Sequence, residues 1–119
     1  MTEKAITGRR ILIVEDEFFV ADSLAMYLTS LGAVVVGPAA SVRAVLDLVD
    51  KSERLDGAVL DVNLQGKQAY PVADALAARN VPFVLVTGYA PDSIPEPYNA
   101  APQCSKPFRA AELVRLLFR

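Results

Sequence analysis

The chain has 119 residues, 53% of them hydrophobic, enough apolar surface for one core, so one domain over residues 1–119 is expected. With 12 Lys and Arg against 14 Asp and Glu the formal charge is −2, which lacks the basic excess that direct nucleic-acid binding requires. One cysteine excludes an internal disulfide, and no apolar run approaches the roughly 18 residues needed to cross a bilayer, so a soluble, cytoplasmic chain without a membrane partner is expected.

In chain order, short β-branched runs alternate with longer stretches of helical period. Ile11-Leu12-Ile13-Val14 reads as a strand buried on both faces. Val20, Leu24, Tyr27 or Leu28, and Leu31 then recur at helical spacing until Gly32 stops the helix. Ala33 to Val36 is a second strand, ended by Gly37-Pro38. Ser41 is placed to cap a helix with Val42, Val45, Leu46 and Val49 on its inner face. Gly57 to Leu60 is a third strand, followed by a polar loop and by Pro71 at the first position of a helix over Val72 to Ala78. Phe83 to Val86 is a fourth strand. Pro91, Pro95 and Pro97 preclude a regular fourth helix, since each removes an amide donor and clashes with the preceding turn. A weak fifth strand over Pro102 to Ser105 leads into a closing helix with Leu113, Leu116 and Leu117 facing inward.

The pattern is (βα)5, an α/β fold in which right-handed crossovers join parallel strands into a doubly wound five-stranded sheet with an irregular fourth helix region. In such a sheet ligands bind beyond the carboxyl ends of the strands. Glu15 and Asp16 follow the first strand, Asp61 ends the third, Thr87 ends the fourth and Lys106 follows the fifth, so all should converge on one edge. A dinucleotide fold would need a G-x-G-x-x-G turn where this chain has Glu15-Asp16-Glu17, which repels a pyrophosphate.

Carboxylates brought that close repel: two unit charges about 4 Å apart interact by roughly 4 kcal/mol at an effective dielectric near 20. An oxygen-only site of carboxylates, a carbonyl and waters suits Mg²⁺ or Mn²⁺, and with no histidine in the chain zinc and copper are poor fits. The Lys106 ammonium and the Thr87 hydroxyl, together with such a metal, would neutralise a phosphoryl group carried by Asp61.

ILIVEDE at Ile11 to Glu17, LDVN at Leu60 to Asn63, Val86-Thr87-Gly88 and SKPF at Ser105 to Phe108 together resemble a response-regulator receiver domain of two-component signalling. The resemblance covers essentially the whole chain. It implies the flavodoxin-like strand order 2-1-3-4-5, and phosphoryl transfer to Asp61 from a histidine kinase or phosphorelay partner. It also implies a metal held by Glu15, Asp16, Asp61 and the backbone carbonyl of Asn63, with Thr87 and Lys106 reading the phosphoryl group. The domain would signal to an unknown downstream protein and would not be an enzyme, beyond slow self-dephosphorylation. A receiver-like scaffold that recruits a partner without being phosphorylated is the alternative.

Most receivers carry an aromatic three residues before the lysine as a rotamer switch, and here that position is Gln103. Phe83 to Tyr89 (FVLVTGY), with Tyr70 to Leu76 (YPVADAL) upstream, instead resembles the alphaproteobacterial "FAT GUY" subgroup of stand-alone receivers, which pair with kinases of the HWE or a related class. Thr87, Gly88 and Tyr89 are then the expected switch, with Tyr89 repacking and the Pro-rich segment 90–101 reordering.

Other motifs lead nowhere. Asp61 to Gly66 looks like half an EF-hand loop, but its twelfth position is Val72 where a bidentate glutamate is needed. It also resembles the Asp-x-Asp of aspartate-nucleophile phosphatases, yet Asn63 cannot be their general acid. Cys104 is expected to be a small core residue.

Overall fold

The computed structural model describes residues 6–88 and 94–118. The expectations for Tyr89 and Pro91 lie outside the described residues.

Four of the predicted strands form almost where the sequence places them: β1 is Arg10–Val14, β3 is Gly57–Asp61, β6 is Phe83–Thr87 and β7, the weak one, is Gln103–Ser105. With β2, Val34–Ala39, they make a five-stranded parallel sheet in the order β2-β1-β3-β6-β7. That is the predicted 2-1-3-4-5 order once a small additional hairpin, β4 (Asn63–Leu64) and β5 (Lys67–Gln68), is counted.

Alternation along the strands divides the interior in two. Leu12, Val14, Ala58, Leu60 and Leu85 face α2 (Val42–Lys51) and α3 (Tyr70–Ala78). Ile11, Ile13, Val59, Val84 and Val86 face α1 (Phe18–Ser30) and α4 (Ala110–Phe118). Every residue of β3 is buried, as a central strand covered by helices on both faces requires. The Ser41 hydroxyl caps α2 by accepting from the Ala44 amide at 3.2 Å, and Pro71 lies in the first turn of α3.

The structure departs from the sequence reading in four places. Strand β2 does not stop at Gly37-Pro38 but continues to Ala39. Gly37 adopts a left-handed φ of +89°, and a Cβ there would lie 2.9 Å from the Ala39 nitrogen and 3.1 Å from the Ile13 oxygen. The pairing with β1 slips at this point, between Leu12 and Val14, so that the Ala39 carbonyl accepts from the Glu15 amide at 3.1 Å. The polar loop after β3 is the hairpin, turned by Gln65 (φ +52°) and Gly66 (φ +82°), a left-handed pair that folds so short a ribbon back on itself. In α4 the buried residues are Leu113, Val114 and Leu117, because 113, 114 and 117 share a helix face and Leu116 falls to its side. In α1, Ala21 rather than Val20 is buried with Leu24 and Leu28.

The fourth crossover is irregular in its described part. Residues 98–100 form a single 3₁₀ turn, followed by Ala101 and Pro102.

Candidate functional site

Each strand delivers its terminal side chain to the carboxyl edge. Glu15 and Asp16 leave β1, with the Glu15 backbone pinned to β2 through Ala39. Asp61 ends β3 beside Val86 of β6, and Thr87 ends β6 beside Ser105 of β7. The Lys106 amide donates to the Thr87 carbonyl at 3.0 Å, which extends the β6–β7 ladder and sets where the lysine side chain departs.

Four of the expected residues, Glu15, Asp16, Asp61 and Lys106, meet. One carboxylate oxygen from each of Glu15, Asp16 and Asp61 lies within 4.8 Å of the others. Lys106 Nζ donates to Asp61 Oδ2 at 2.9 Å and stands 3.4 Å from Glu15 Oε1. Glu15, Asp61 and Thr87 are each only 5% exposed, the buried polar residues among the described ones. The Asn63 amide donates to Asp61 Oδ1 at 3.0 Å, and Asn63 Oδ1 accepts from the Gly66 amide at 3.0 Å. Gly88 is exposed just past Thr87; Tyr89, the third expected switch residue, lies outside the described residues.

Two features of the site were not read from the sequence. Glu17 Oε2 accepts from Lys106 Nζ at 2.7 Å, a shorter contact than either buried acid makes. The only sequence signal was a third acid directly after the pair. The hairpin also reaches into the site, because Asp16 Oδ2 accepts from the Gln65 amide at 2.8 Å. Nothing in so polar a loop announces a two-residue strand.

The electrostatics follow from burial. Loss of solvent pushes the Glu15 carboxyl up from 4.5 to about 7; the Glu17 amide and Lys106 oppose the rise, and the neighbouring Asp61 charge adds to it. For Lys106, burial favours the neutral amine. Its bonds to Glu17 and Asp61 and the charges of Asp61 and Glu15 outweigh that, so its affinity for the proton rises. One ammonium is therefore shared among several carboxylates, one of which is driven toward its protonated form. Such a donor set, hard oxygens at mutually short distance with excess negative charge, fits a divalent cation of the Mg²⁺ kind.

Cys104 is buried as expected; burial and its bond to Glu112 Oε1 (3.2 Å) push its thiol up to about 11, far from reactive.

The doubly wound sheet thus carries an acidic cluster and a lysine at its carboxyl edge. The family model for the response regulator receiver domain matches residues 11–118, and the chain belongs to that family. It is similar to SdrG from Sphingomonas melonis Fr1, whose solution structure shares 39% identity over 94% of this chain and 98% of that one, with a TM-score of 0.80. The BeF3-activated conformation of SdrG from Pseudomonas melonis Fr1 matches at 39% identity over 92% and 96% of the two chains, with a TM-score of 0.76. A receiver protein from Sinorhizobium medicae WSM419, at 23% identity over 92% and 91% and a TM-score of 0.76, shares the fold. No curated protein matches the chain at a significant level.

Proposed function

We propose that Asp61 accepts a phosphoryl group from the phosphohistidine of a histidine kinase or phosphorelay partner and that the domain signals by the change of shape that follows. A carboxylate oxygen of Asp61 would attack phosphorus while the phosphorus–nitrogen bond to the donor imidazole, protonated on its other ring nitrogen, breaks, leaving an acyl phosphate on Asp61 and a neutral imidazole on the donor. Mg²⁺ or Mn²⁺, held by Glu15, Asp16, Asp61 and the Asn63 carbonyl, would supply a positive charge for the phosphoryl oxygens. Lys106 and Thr87 would take the other oxygens, as an ammonium and a hydroxyl donor.

The observation that carries this reading is the 2.9 Å bond from Lys106 to an Asp61 that is almost wholly buried among other acids. The beryllofluoride-activated form of a relative at 39% identity supports a switch of the same kind. Thr87, drawn toward the phosphoryl group, would carry Gly88 and Tyr89 with it, since Gln103 is no aromatic plug; its amide Nε2 donates to the Asn99 carbonyl at 3.4 Å. We assign the donor, as for stand-alone "FAT GUY" receivers, to a kinase of the HWE or a related class. The domain is assigned to the cytoplasm, where such kinases present their phosphohistidine; among the described residues no helix is long and apolar enough to cross a membrane. Slow self-dephosphorylation, rather than multiple turnover of a small phosphate ester, is expected of it.

Intact-mass measurement after incubation with acetyl phosphate and Mg²⁺ tests the assignment. The wild type gains one phosphoryl group and Asp61→Asn gains none while keeping its fold. A full adduct on Asp61→Asn would place the acceptor elsewhere, and no adduct on the wild type, with no response to beryllofluoride, would favour an unphosphorylated scaffold.

A further inference from the structure

Glu17 stands at the N-cap position of α1, with extended backbone angles, and its side chain makes no cap bond to the helix. Short side chains such as Ser, Thr, Asp and Asn are the usual choice there, because their oxygen reaches the free amides of the first turn. The Glu17 carboxylate is instead on Lys106, at 2.7 Å.

The three acids that contact Lys106 are not equivalent. The side chains of Glu15 and Asp61 are 4% and 6% exposed, whereas that of Glu17 is 52% exposed. A carboxylate already half in water can swing away and be solvated at little cost; the two buried ones cannot. Glu17 is thus the exchangeable partner of the ammonium.

A phosphoryl group on Asp61 adds about −1.5 to −2 charges and three acceptor oxygens within reach of the same Nζ. With Glu17 in place, the newcomer meets a lysine already bonded to an anion and a like charge beside it. We infer that Glu17 is a positioning residue that competes with the phosphoryl group for Lys106 Nζ, so that its carboxylate weakens phosphoryl binding and sets the threshold for switching. The inference rests on the proposed roles of Asp61 and Lys106.

Beryllofluoride titrations at saturating Mg²⁺ test it, read by calorimetry on the full chain. Glu17→Gln keeps the length and shape of the side chain and removes the charge. It is expected to bind beryllofluoride about two- to fivefold tighter than the wild type, the range of a partly exposed ion pair, and the gain should shrink as salt is added. Glu53→Gln removes the same charge from an exposed position between α2 and β3, at the other end of the sheet, and should bind as the wild type does. Damage to the site would loosen binding, so a gain confined to Glu17→Gln separates competition from a structural role.

Binding in Glu17→Gln that is equal to or weaker than that of a responsive wild type overturns the inference and leaves the phosphoacceptor role standing. An equal gain in Glu53→Gln also overturns it, in favour of net charge. A wild type that neither binds beryllofluoride nor takes up a phosphoryl group overturns the proposed function, and the competition with it.

Discussion

After β3 the chain turns through the β4–β5 hairpin, and the fastenings of that turn are backbone amides on acids: Asn63 on Asp61 and Gln65 on Asp16. After β6 the described part of the link is fastened by side chains. The Tyr98 ring stacks on Tyr70 at 4.4 Å and 12°, and its hydroxyl donates to Asp74 Oδ1 at 2.9 Å. The first link answers to the charge on the site, because its amides bond to the carboxylates of the acidic cluster. The second answers to packing against α3. Tyr70 begins that helix one residue after Ala69, whose amide donates to the Val62 carbonyl, so the two fastenings share a single joint.

The largest way to break this contrast is Asp16→Ala. Mg²⁺ should stabilise the wild type by about 2.7 kcal/mol at a hundredfold excess over Kd, a gain the variant loses, and the hairpin amide of Gln65 loses its acceptor as well. Thermal melting with and without Mg²⁺ measures the first, hydrogen exchange the second. A melting shift as large as that of the wild type would put the cation elsewhere.

A somewhat smaller effect comes from Glu15. Its folded carboxyl titrates near 7 against an ordinary 4.5, so without metal the fold binds this proton more tightly than the unfolded chain does. That contribution is complete below about 4.5 and is lost as pH rises through about 7, an effect on the order of 2 kcal/mol after screening. Urea unfolding at a series of pH values, compared with Glu15→Gln, checks it. The substitution should flatten the slope across that window, and an unaltered slope would assign the titration to another group.

The smallest sharpens the contrast from the other side. Tyr98→Ala removes a ring stack and a hydrogen bond and should lower amide protection over residues 99–101 by about 1 to 1.5 kcal/mol, Tyr98→Phe by about half of that. Neither should alter the Mg²⁺ shift. If both did, the packed link and the charged one would be a single unit.

The strand ends were legible because a parallel sheet buried on both faces writes itself as uninterrupted β-branched runs, and the residue that breaks each run marks the carboxyl edge. Glu15, Asp61 and Thr87 were found that way, whereas Lys106 follows a weak strand with no β-branched residue, Pro102 to Ser105. What was missed depends on geometry that period does not encode. The Glu17–Lys106 pair spans 89 positions and turns on a side chain that declines to cap its own helix. The hairpin has strands of two residues, below any periodic signal, and is held by the carboxylates it approaches. Strand β2 outlasts Gly37-Pro38 because Gly37 takes a left-handed φ at which a Cβ would press on the Ala39 nitrogen and the Ile13 carbonyl.

Gly37 carries one more implication, for anyone who surveys variants of this chain by their signalling output. It sits on the edge strand and contributes no atom to the acidic cluster. Yet the slip it permits is what brings the Ala39 carbonyl to the Glu15 amide. A side chain at position 37 would be strained at its left-handed φ and would crowd the nitrogen of Ala39, the residue whose carbonyl holds the backbone of the first acid. In a functional screen it would score among the acid-pocket lesions, although a map of pocket-lining residues would omit it.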